Sequence, residues 1–219
     1  MAPFGKIYSY PGNFRVQRAQ VAAAFNGLEV PLAEGFKMGA DNASSDFKAK
    51  FPLGKVPALE CADGFCLTEG AAICTYLARC GPKAEQLIGS DPKTQALITQ
   101  WIAFSESELN GNITPVAGMV VFKMAPYDEK RYNTCAAGAE RALKRIEFAL
   151  EKSKYLVGDN VTLADIMVAG ILFFGAKFLI DAEMRKSTPK TVAWLQGLAA
   201  LPEFKALGEL DLCETRTNI

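Results

Sequence analysis

The sequence predicts an α/β N-terminal domain followed by an all-α C-terminal domain. Short strand-like runs alternate with helical ones up to about residue 82, whereas strand signals disappear from Pro92 onward and long helical periodicities take over. A chain of 219 residues is also long enough for two closely packed domains. We therefore predict domains at residues 1–82 and 92–219, joined by a linker at 83–91.

The N-terminal elements follow from alternation, helical spacing and turn residues. Pro11-Gly12-Asn13 punctuates the first alternating run, and Asp63-Gly64 is typical of a tight hairpin turn because it tolerates positive φ. The predicted elements are, in order, a strand at 5–10, a helix at 14–26, a strand at 29–33, a short helix at 46–51, strands at 58–61 and 65–68, and a helix at 69–80.

The C-terminal domain is predicted to contain long helices only. Thr162 and Asp165 stand three positions apart, so each side chain can satisfy a free backbone N–H at a helix start. We interpret this pair as a helix start in the folding core and not as catalytic residues. The predicted helices are 93–122, 128–153, 163–182 and 189–201.

Charge and hydropathy exclude several classes of partner. Lys plus Arg and Asp plus Glu number 24 each, so no net field gathers phosphates, and we expect no direct contact with nucleic acid. No apolar run approaches the length of a membrane span, and residues 1–6 show no basic stretch leading into an apolar core. We expect no membrane association and a cytoplasmic location.

The chain contains no histidine, which removes the usual general base and the commonest metal ligand. Its six cysteines show no CxxC spacing, so we predict reduced, mostly buried thiols and no metal site. A cysteine-based redox protein ranks last among our hypotheses. Neither Cys61 nor Cys66 lies at the start of the first helix, where a thiolate would be stabilised.

Val56-Pro57 stands at the entry to a predicted strand, where two conformations fit. A cis peptide would turn the backbone amide and carbonyl of Val56 outward, so that they could pair with an extended peptide. Alternatively, an ordinary trans proline opens an edge strand.

Glu69-Gly70 stands where a strand gives way to a helix, so free backbone donors and the helix dipole would suit a carboxylate ligand. Glu69 could then hold an ammonium group, and the pair would fit the headgroup of an α-amino acid. The alternative is that Glu69 only caps the helix.

Three motifs together carry a family resemblance over nearly the whole chain: Phe-Pro-Leu-Gly-Lys-Val-Pro from Phe51, Leu-Thr-Glu-Gly-Ala-Ala-Ile from Leu67, and Tyr-Leu-Val-Gly-Asp-Asn-Val-Thr-Leu-Ala-Asp from Tyr155. In order and spacing they resemble the glutathione transferase superfamily. Three further segments, at 5–13, 63–66 and 207–214, look like the transferase-like domain of the elongation factor 1B gamma subunit. The resemblance implies a thioredoxin-like N-terminal domain with glutathione as co-substrate.

The resemblance also implies the residues that would bind glutathione. The backbone of Val56 beside a cis Pro57 would hold the peptide, Lys55 would lie near the glycyl carboxylate, and Glu69-Gly70 would hold the γ-glutamyl end. Relatives usually have Ser or Thr after that glutamate. Gly70 keeps the backbone donor but lacks the hydroxyl, so weaker binding is expected.

Relatives of the theta and phi type place a serine shortly after the first strand, and Asn13 occupies that position here. We predict that Asn13 and a neighbouring arginine, Arg15 or Arg18, hold the thiolate, with Ser9 and Tyr10 as substitutes for the missing hydroxyl. The alternative for Asn13 is a turn residue after Pro11-Gly12.

Two functions compete at this point. The first is an enzyme that conjugates glutathione to small hydrophobic electrophiles, with low activity because the activating hydroxyl is missing. The second is a non-catalytic scaffold that docks with elongation factor 1B subunits. A homodimer formed by the N-terminal half, near Phe65 and Tyr76, is expected in either case. The residues predicted to contact the electrophile are Trp101, Phe104, Ser105 and Met119.

Overall fold

The computed structural model describes residues 3–218, with a small sheet in the first half of the chain and helices in both halves. The sheet consists of β1 (Gly5–Tyr8), β2 (Ala58–Cys61) and β3 (Cys66–Thr68), in the order β1-β2-β3 and antiparallel throughout. Ile7 lies opposite Leu59, and Leu59 lies opposite Leu67. The predicted hairpin is confirmed, with Gly64 at φ +87° in its turn.

The segment predicted as a strand at 29–33 runs beside β1 but forms only one parallel bridge, between Leu32 and Ile7. Ile7 donates its N–H to the Pro31 carbonyl at 2.8 Å and accepts from the Ala33 N–H at 2.9 Å. Proline has no N–H, so Pro31 cannot donate to a longer ladder. The prediction of a full strand is wrong here.

The helices of the N-terminal half are α1 (Phe14–Phe25), α2 (Ser45–Lys50), α3 (Gly70–Arg79) and α4 (Ala84–Ile88), with a 3₁₀ turn at Asp41–Ala43. Alanines on α1 let it pack closely against both α3 and α8 of the second half. Helix α4 lies inside the segment predicted as a linker, and its Leu87 is fully buried.

The second half is helical, as predicted, and the helix bounds differ most in two places. The predicted helix at 93–122 is interrupted by a π-helical segment, and the one predicted at 163–182 ends at Ala176. The elements are α5 (Pro92–Phe104), the π-helical segment (Ser105–Asn110), α6 (Gly111–Val120), α7 (Glu129–Leu150), α8 (Leu163–Ala176), α9 (Ala182–Lys186), α10 (Pro189–Ala199) and a 3₁₀ turn (Pro202–Leu207).

Helix α8 is the centre of the helical half, since every residue in it except Phe174 is buried. The predicted pairing of Thr162 and Asp165 is confirmed: the fully buried Asp165 accepts from the Thr162 N–H at 2.8 Å. Asp165 also accepts from the Leu156 N–H at 3.0 Å and from Trp194 Nε1 at 3.1 Å. Burial raises the pKa of this carboxyl to about 6.

Candidate functional site

A cleft of about 470 Å³ lies between the two halves of the chain, bounded by α1, the loop before β2, the start of α3 and the π-helical segment. Proline, leucine and backbone form one wall, and charged side chains form the other. Its lining residues are Arg15, Arg18, Phe51, Pro52, Leu53, Lys55, Val56, Pro57, Thr68, Glu69, Gly70, Ala71 and Glu106.

The cleft brings together the loop before β2 and the start of α3, as the sequence analysis expected. Lys55, Val56 and Pro57 line it from one side, and Glu69 and Gly70 line it from the other. The Val56-Pro57 peptide is cis. Among residues 3–218, the backbone N–H and C=O of Val56 have no backbone partner, so both can pair with a bound peptide.

Glu69 has a backbone conformation that non-glycine residues rarely adopt. Its φ is +66°, and its side chain is exposed and makes no capping hydrogen bond to α3. The interpretation of Glu69 as a helix cap is therefore wrong. Such a conformation costs on the order of 1–3 kcal/mol and is concentrated at functional sites. Glu69 lines the cleft mouth beside the start of α3, and its carboxylate has no partner among residues 3–218.

Arg15 lines the cleft and is held from the helical half. Its Nη2 donates to Asn110 Oδ1 at 3.1 Å, and its guanidinium carbon lies 4.4 Å from the centre of the Phe14 ring. Asn110 is fixed in turn by Thr114, whose hydroxyl donates to the same oxygen at 2.5 Å. Burial, and next the charge of Arg18, lower the pKa of Arg15 from its ordinary value.

Arg18 forms the floor of the cleft and is fully buried. Its Nη1 lies 2.8 Å from Glu106 Oε1, an ion pair without hydrogen-bond alignment, while its Nε and Nη2 have no partner among residues 3–218. Its other contacts are with Ser105 Oγ at 3.3 Å and the Met167 carbonyl at 3.4 Å. Arg18 therefore places a buried positive charge at the floor of the cleft, paired there with Glu106.

Two sequence features permit this arrangement. Gly170 on α8 leaves room for Arg18, because a Cβ atom there would lie 2.1 Å from the Arg18 Cγ. The π-helical segment turns Glu106 and Asn110 toward α1, and Pro115, which has no N–H for the Gly111 carbonyl, was the available signal of irregular helical bonding.

Asn13 does not line the cleft. It is 3% exposed; its Oδ1 accepts from the Arg15 N–H at 3.1 Å as the N-cap of α1, and its Nδ2 donates to Ser9 Oγ at 3.0 Å. Both polar ends are therefore used within the protein. This geometry favours the alternative of a turn and capping residue over a thiol contact.

The four residues predicted to contact the electrophile lie outside the cleft. Trp101, Ser105 and Met119 are buried in the core, at 3%, 0% and 2% exposure, and Phe104 packs edge-on against Trp101 with ring centres 5.1 Å apart. The four residues were predicted to line a pocket for the electrophile, but their burial places them in the core. These side chains support the helical half from within.

A stack of three aromatic rings instead extends from the arginines to the surface. Phe14, beside Arg15, stacks on Phe174 with ring centres 5.2 Å apart, and Phe174 stacks on Phe122 at 6.1 Å. Phe122 is 49% exposed. Phe122 was not predicted to contribute to a site; it lies just after α6, at the end of the helix predicted at 93–122.

All six cysteines are free thiols, half of them buried. Burial raises the pKa of the Cys74 thiol to about 12, and it also raises the pKa of Cys61. Within residues 3–218, no cluster of His, Cys, Asp or Glu is arranged to hold a metal ion. The same part of the chain contains no helix with the length and apolar character needed to cross a membrane.

Comparison with known proteins decides the family. Residues 3–79 match the N-terminal domain of glutathione S-transferase, and residues 109–202 match the C-terminal domain. The glutathione S-transferase-like protein LUC7 of Fusarium sp. is 43% identical over 196 residues, which cover 89% of this chain and 88% of that protein. The chain belongs to the glutathione S-transferase family. Its N-terminal half is accordingly thioredoxin-like.

Two other relatives show the breadth of this family around the chain. The glutathione S-transferase-like protein FUS3 of Gibberella moniliformis is 36% identical, and the match covers 99% of this chain and 98% of that protein. Elongation factor 1-gamma of Artemia salina is 38% identical over 96% of this chain, which spans 48% of that protein.

Solved structures of family members share the whole fold. Glutathione S-transferase I from mais, in complex with an atrazine glutathione conjugate, superposes with a TM-score of 0.84 at 26% identity, covering 95% of this chain and 98% of that one. The glutathione S-transferase-like domain of elongation factor 1-gamma from Saccharomyces cerevisiae gives 0.76 at 27% identity, covering 99% and 100%.

Proposed function

We propose that this protein binds glutathione in the cleft between its two halves and conjugates it to small hydrophobic electrophiles at a low rate. The observation that carries the proposal is the charge of the cleft. Three cationic side chains and two carboxylates line it, a formal charge of +1. Glutathione carries two carboxylates and one ammonium at neutral pH, so its charge of −1 is complementary.

The positions of these charges support one orientation of the ligand. Lys55 attracts the glycyl carboxylate, the free N–H and C=O of Val56 pair with the cysteinyl backbone, and Glu69 attracts the γ-glutamyl ammonium. A structural relative has a glutathione conjugate bound, which supports the same ligand class.

In the conjugation step, the thiol loses its proton to solvent and the thiolate attacks the electrophilic carbon. For an aryl chloride, a carbon–sulfur bond forms and chloride leaves with the bonding electron pair. The positive charge of the cleft as a whole favours the thiolate electrostatically, but Asn13 and Ser9 bond to each other and neither lines the cleft, so neither is placed to contact the sulfur. The aromatic stack ending at Phe122 offers the acceptor an apolar surface.

Calorimetric titration tests the binding part of the proposal. We expect a Kd for glutathione in the millimolar range or tighter, and no heat with α-glutamyl-cysteinyl-glycine, an isomer with the same charges at other positions. Saturating glutathione should also raise the unfolding temperature, because a ligand bound only to the native state stabilises it. Equal behaviour of the two isomers, or no heat with either, would reject specific binding.

Conjugation of glutathione to 1-chloro-2,4-dinitrobenzene, followed by absorbance, tests turnover. We expect a rate above the uncatalysed background, reduced about 10-fold in Phe122→Ala by loss of acceptor contacts. Phe148→Ala is the matched control, since Phe148 is equally exposed, at 52%, but lies on α7 away from the stack. A rate equal to background would leave a binding protein without transferase activity.

A docking role in an elongation factor complex is the second candidate, supported by 38% identity to elongation factor 1-gamma over 96% of this chain. Both proposed functions would operate in the cytoplasm. The test is co-purification of the wild-type chain with elongation factor 1B subunits. Absence of such a complex would leave the transferase proposal alone.

We also propose a homodimer through the aromatic surface around Phe65, which is 43% exposed and packs against Tyr76 with ring centres 5.1 Å apart. Light scattering should give twice the chain mass, and Phe65→Glu should reduce it to the mass of one chain. An unchanged mass in this variant would place the contact elsewhere.

A further inference from the structure

Gly70, the first residue of α3, leaves a space that the side chain of Arg15 fills. A Cβ atom at Gly70 would lie 3.3 Å from the Arg15 Cβ and 3.6 Å from its Cγ and Cδ. The aliphatic stem of Arg15 therefore crosses the start of α3. The N–H groups of Gly70, Ala71 and Ala72 lie beside it and have no acceptor among residues 3–218.

The guanidinium of Arg15 is oriented before any ligand arrives. Asn110 accepts from its Nη2, and the Phe14 ring supports its face. Within the part of the chain that the structure describes, its other N–H groups have no protein acceptor. A fixed guanidinium with free donors loses little rotamer freedom when it binds an anion.

Arg18 adds a second positive charge to the cleft. It lines the same cleft, is 0% exposed, and keeps its Nε and Nη2 unpartnered in residues 3–218. Glu106 pairs with Arg18 in the inner part of the cleft, whereas the Glu69 carboxylate is exposed at its mouth. The inner part of the cleft thus has one positive charge in excess.

We propose that Arg15 binds the α-carboxylate of the γ-glutamyl group of glutathione, opposite the free N–H groups at the start of α3. This rests on the proposed function, that glutathione occupies the cleft. The planar guanidinium can donate two parallel hydrogen bonds to a carboxylate. Gly70 has no side chain that could donate to this carboxylate, and Arg15 supplies the donors in its place. Arg15 therefore acts at the γ-glutamyl end and not at the sulfur.

The test compares glutathione with γ-aminobutyryl-cysteinyl-glycine, which lacks only the α-carboxylate. In calorimetric titrations of the wild-type chain, we expect glutathione to bind about 10- to 100-fold more tightly than this analogue. In Arg15→Gln, the ratio of the two Kd values should fall below about 3-fold. Arg15→Lys keeps the aliphatic stem over Gly70 and the positive charge but loses the paired N–H donors of the guanidinium. An intermediate ratio of the two Kd values is therefore expected.

Lys55→Gln is the matched control. Lys55 is proposed to act on the glycyl carboxylate, which both ligands carry, so this variant should weaken both equally and preserve the ratio. An unchanged ratio in both Arg15 variants, or equal binding of the two ligands by the wild type, would overturn the assignment while leaving glutathione binding intact. Failure of the wild type to bind either ligand would instead overturn the proposed function, and this assignment with it.

Discussion

Among residues 3–218, charged groups that line the cleft keep atoms without hydrogen-bond partners, whereas the side chains of Asn13 and Ser9 in the β1–α1 loop bond to each other. Arg18 has two nitrogens without a partner in that range, and Glu69 has an unpaired carboxylate on a strained backbone. In contrast, the side chain of Asn13 accepts from the Arg15 N–H and donates to Ser9 Oγ. Unused donors and strain indicate a ligand site, and satisfied groups indicate a structural role.

The difference separates ligand recognition from thiol activation in this chain. The charged end is suited to recognising a ligand with a carboxylate and an ammonium. The loop end offers the thiol no dedicated donor. We therefore expect binding to depend strongly on the α3 end, and the loop end to affect mainly stability.

The largest effect is expected from Glu106→Ala, which leaves Arg18 buried without a counterion. The free energy of unfolding should fall by about 3–5 kcal/mol in urea denaturation. Glu108→Ala is the control, because Glu108 is exposed on the same π-helical segment. If the two variants are equally stable, Arg18 does not depend on this ion pair.

Two substitutions of Glu69 should move binding and stability in opposite directions. Glu69→Gln removes the charge and should raise the Kd for glutathione about 10-fold or more. Glu69→Gly should weaken binding similarly while raising the free energy of unfolding by about 1 kcal/mol, because glycine tolerates φ +66°. A Glu69→Gly chain no more stable than the wild type would contradict the strain argument.

Asn13→Ala should lower the free energy of unfolding by about 1–2 kcal/mol through loss of the α1 cap, with the Kd for glutathione changed less than about 3-fold. Asn13→Asp retains the capping oxygen and should recover most of the stability. A selective loss of kcat/KM at unchanged stability would instead restore Asn13 as a thiol contact.

Gly70→Ala tests the fit between Gly70 and Arg15 and should give the smallest effect. The added Cβ crowds the Arg15 stem, so glutathione affinity should fall by about 2- to 5-fold, with less than about 1 kcal/mol change in stability. Gly111→Ala is the control, since a Cβ there meets nothing within 4 Å. Equal affinities for the two variants would indicate that the stem moves freely.

Features set by neighbouring residues were predicted well from the sequence. The hairpin turn at Asp63-Gly64 and the pairing of Thr162 with Asp165 depend on contacts within a few positions, which spacing reveals directly. The loop at Val56 and the start of α3 were also predicted to meet, because family motifs preserve their order. The Val56 loop and the start of α3 form one wall of the cleft.

The other wall depends on contacts between distant parts of the chain. Arg15 meets Asn110 across 95 positions, and Arg18 meets Glu106 through a π-helical segment that a 3.6-residue period conceals. The same limitation explains why Trp101 was predicted to contact the electrophile. Hydropathy marks a buried face without showing whether protein or ligand covers it. The prediction of a strand at 29–33 was wrong for a local reason, because Pro31 has no N–H to donate.

The missing side chain at Gly170 has a consequence for recombination between relatives. Because the Arg18 stem occupies the place where a side chain at 170 would start, residues in the first and second halves of the chain must change together. A chimera that joins this N-terminal half to a helical half with alanine at that position would have its two parts pushed apart at α1 and α8. Exchange of this N-terminal half is therefore restricted by a single pair of residues, Arg18 and Gly170.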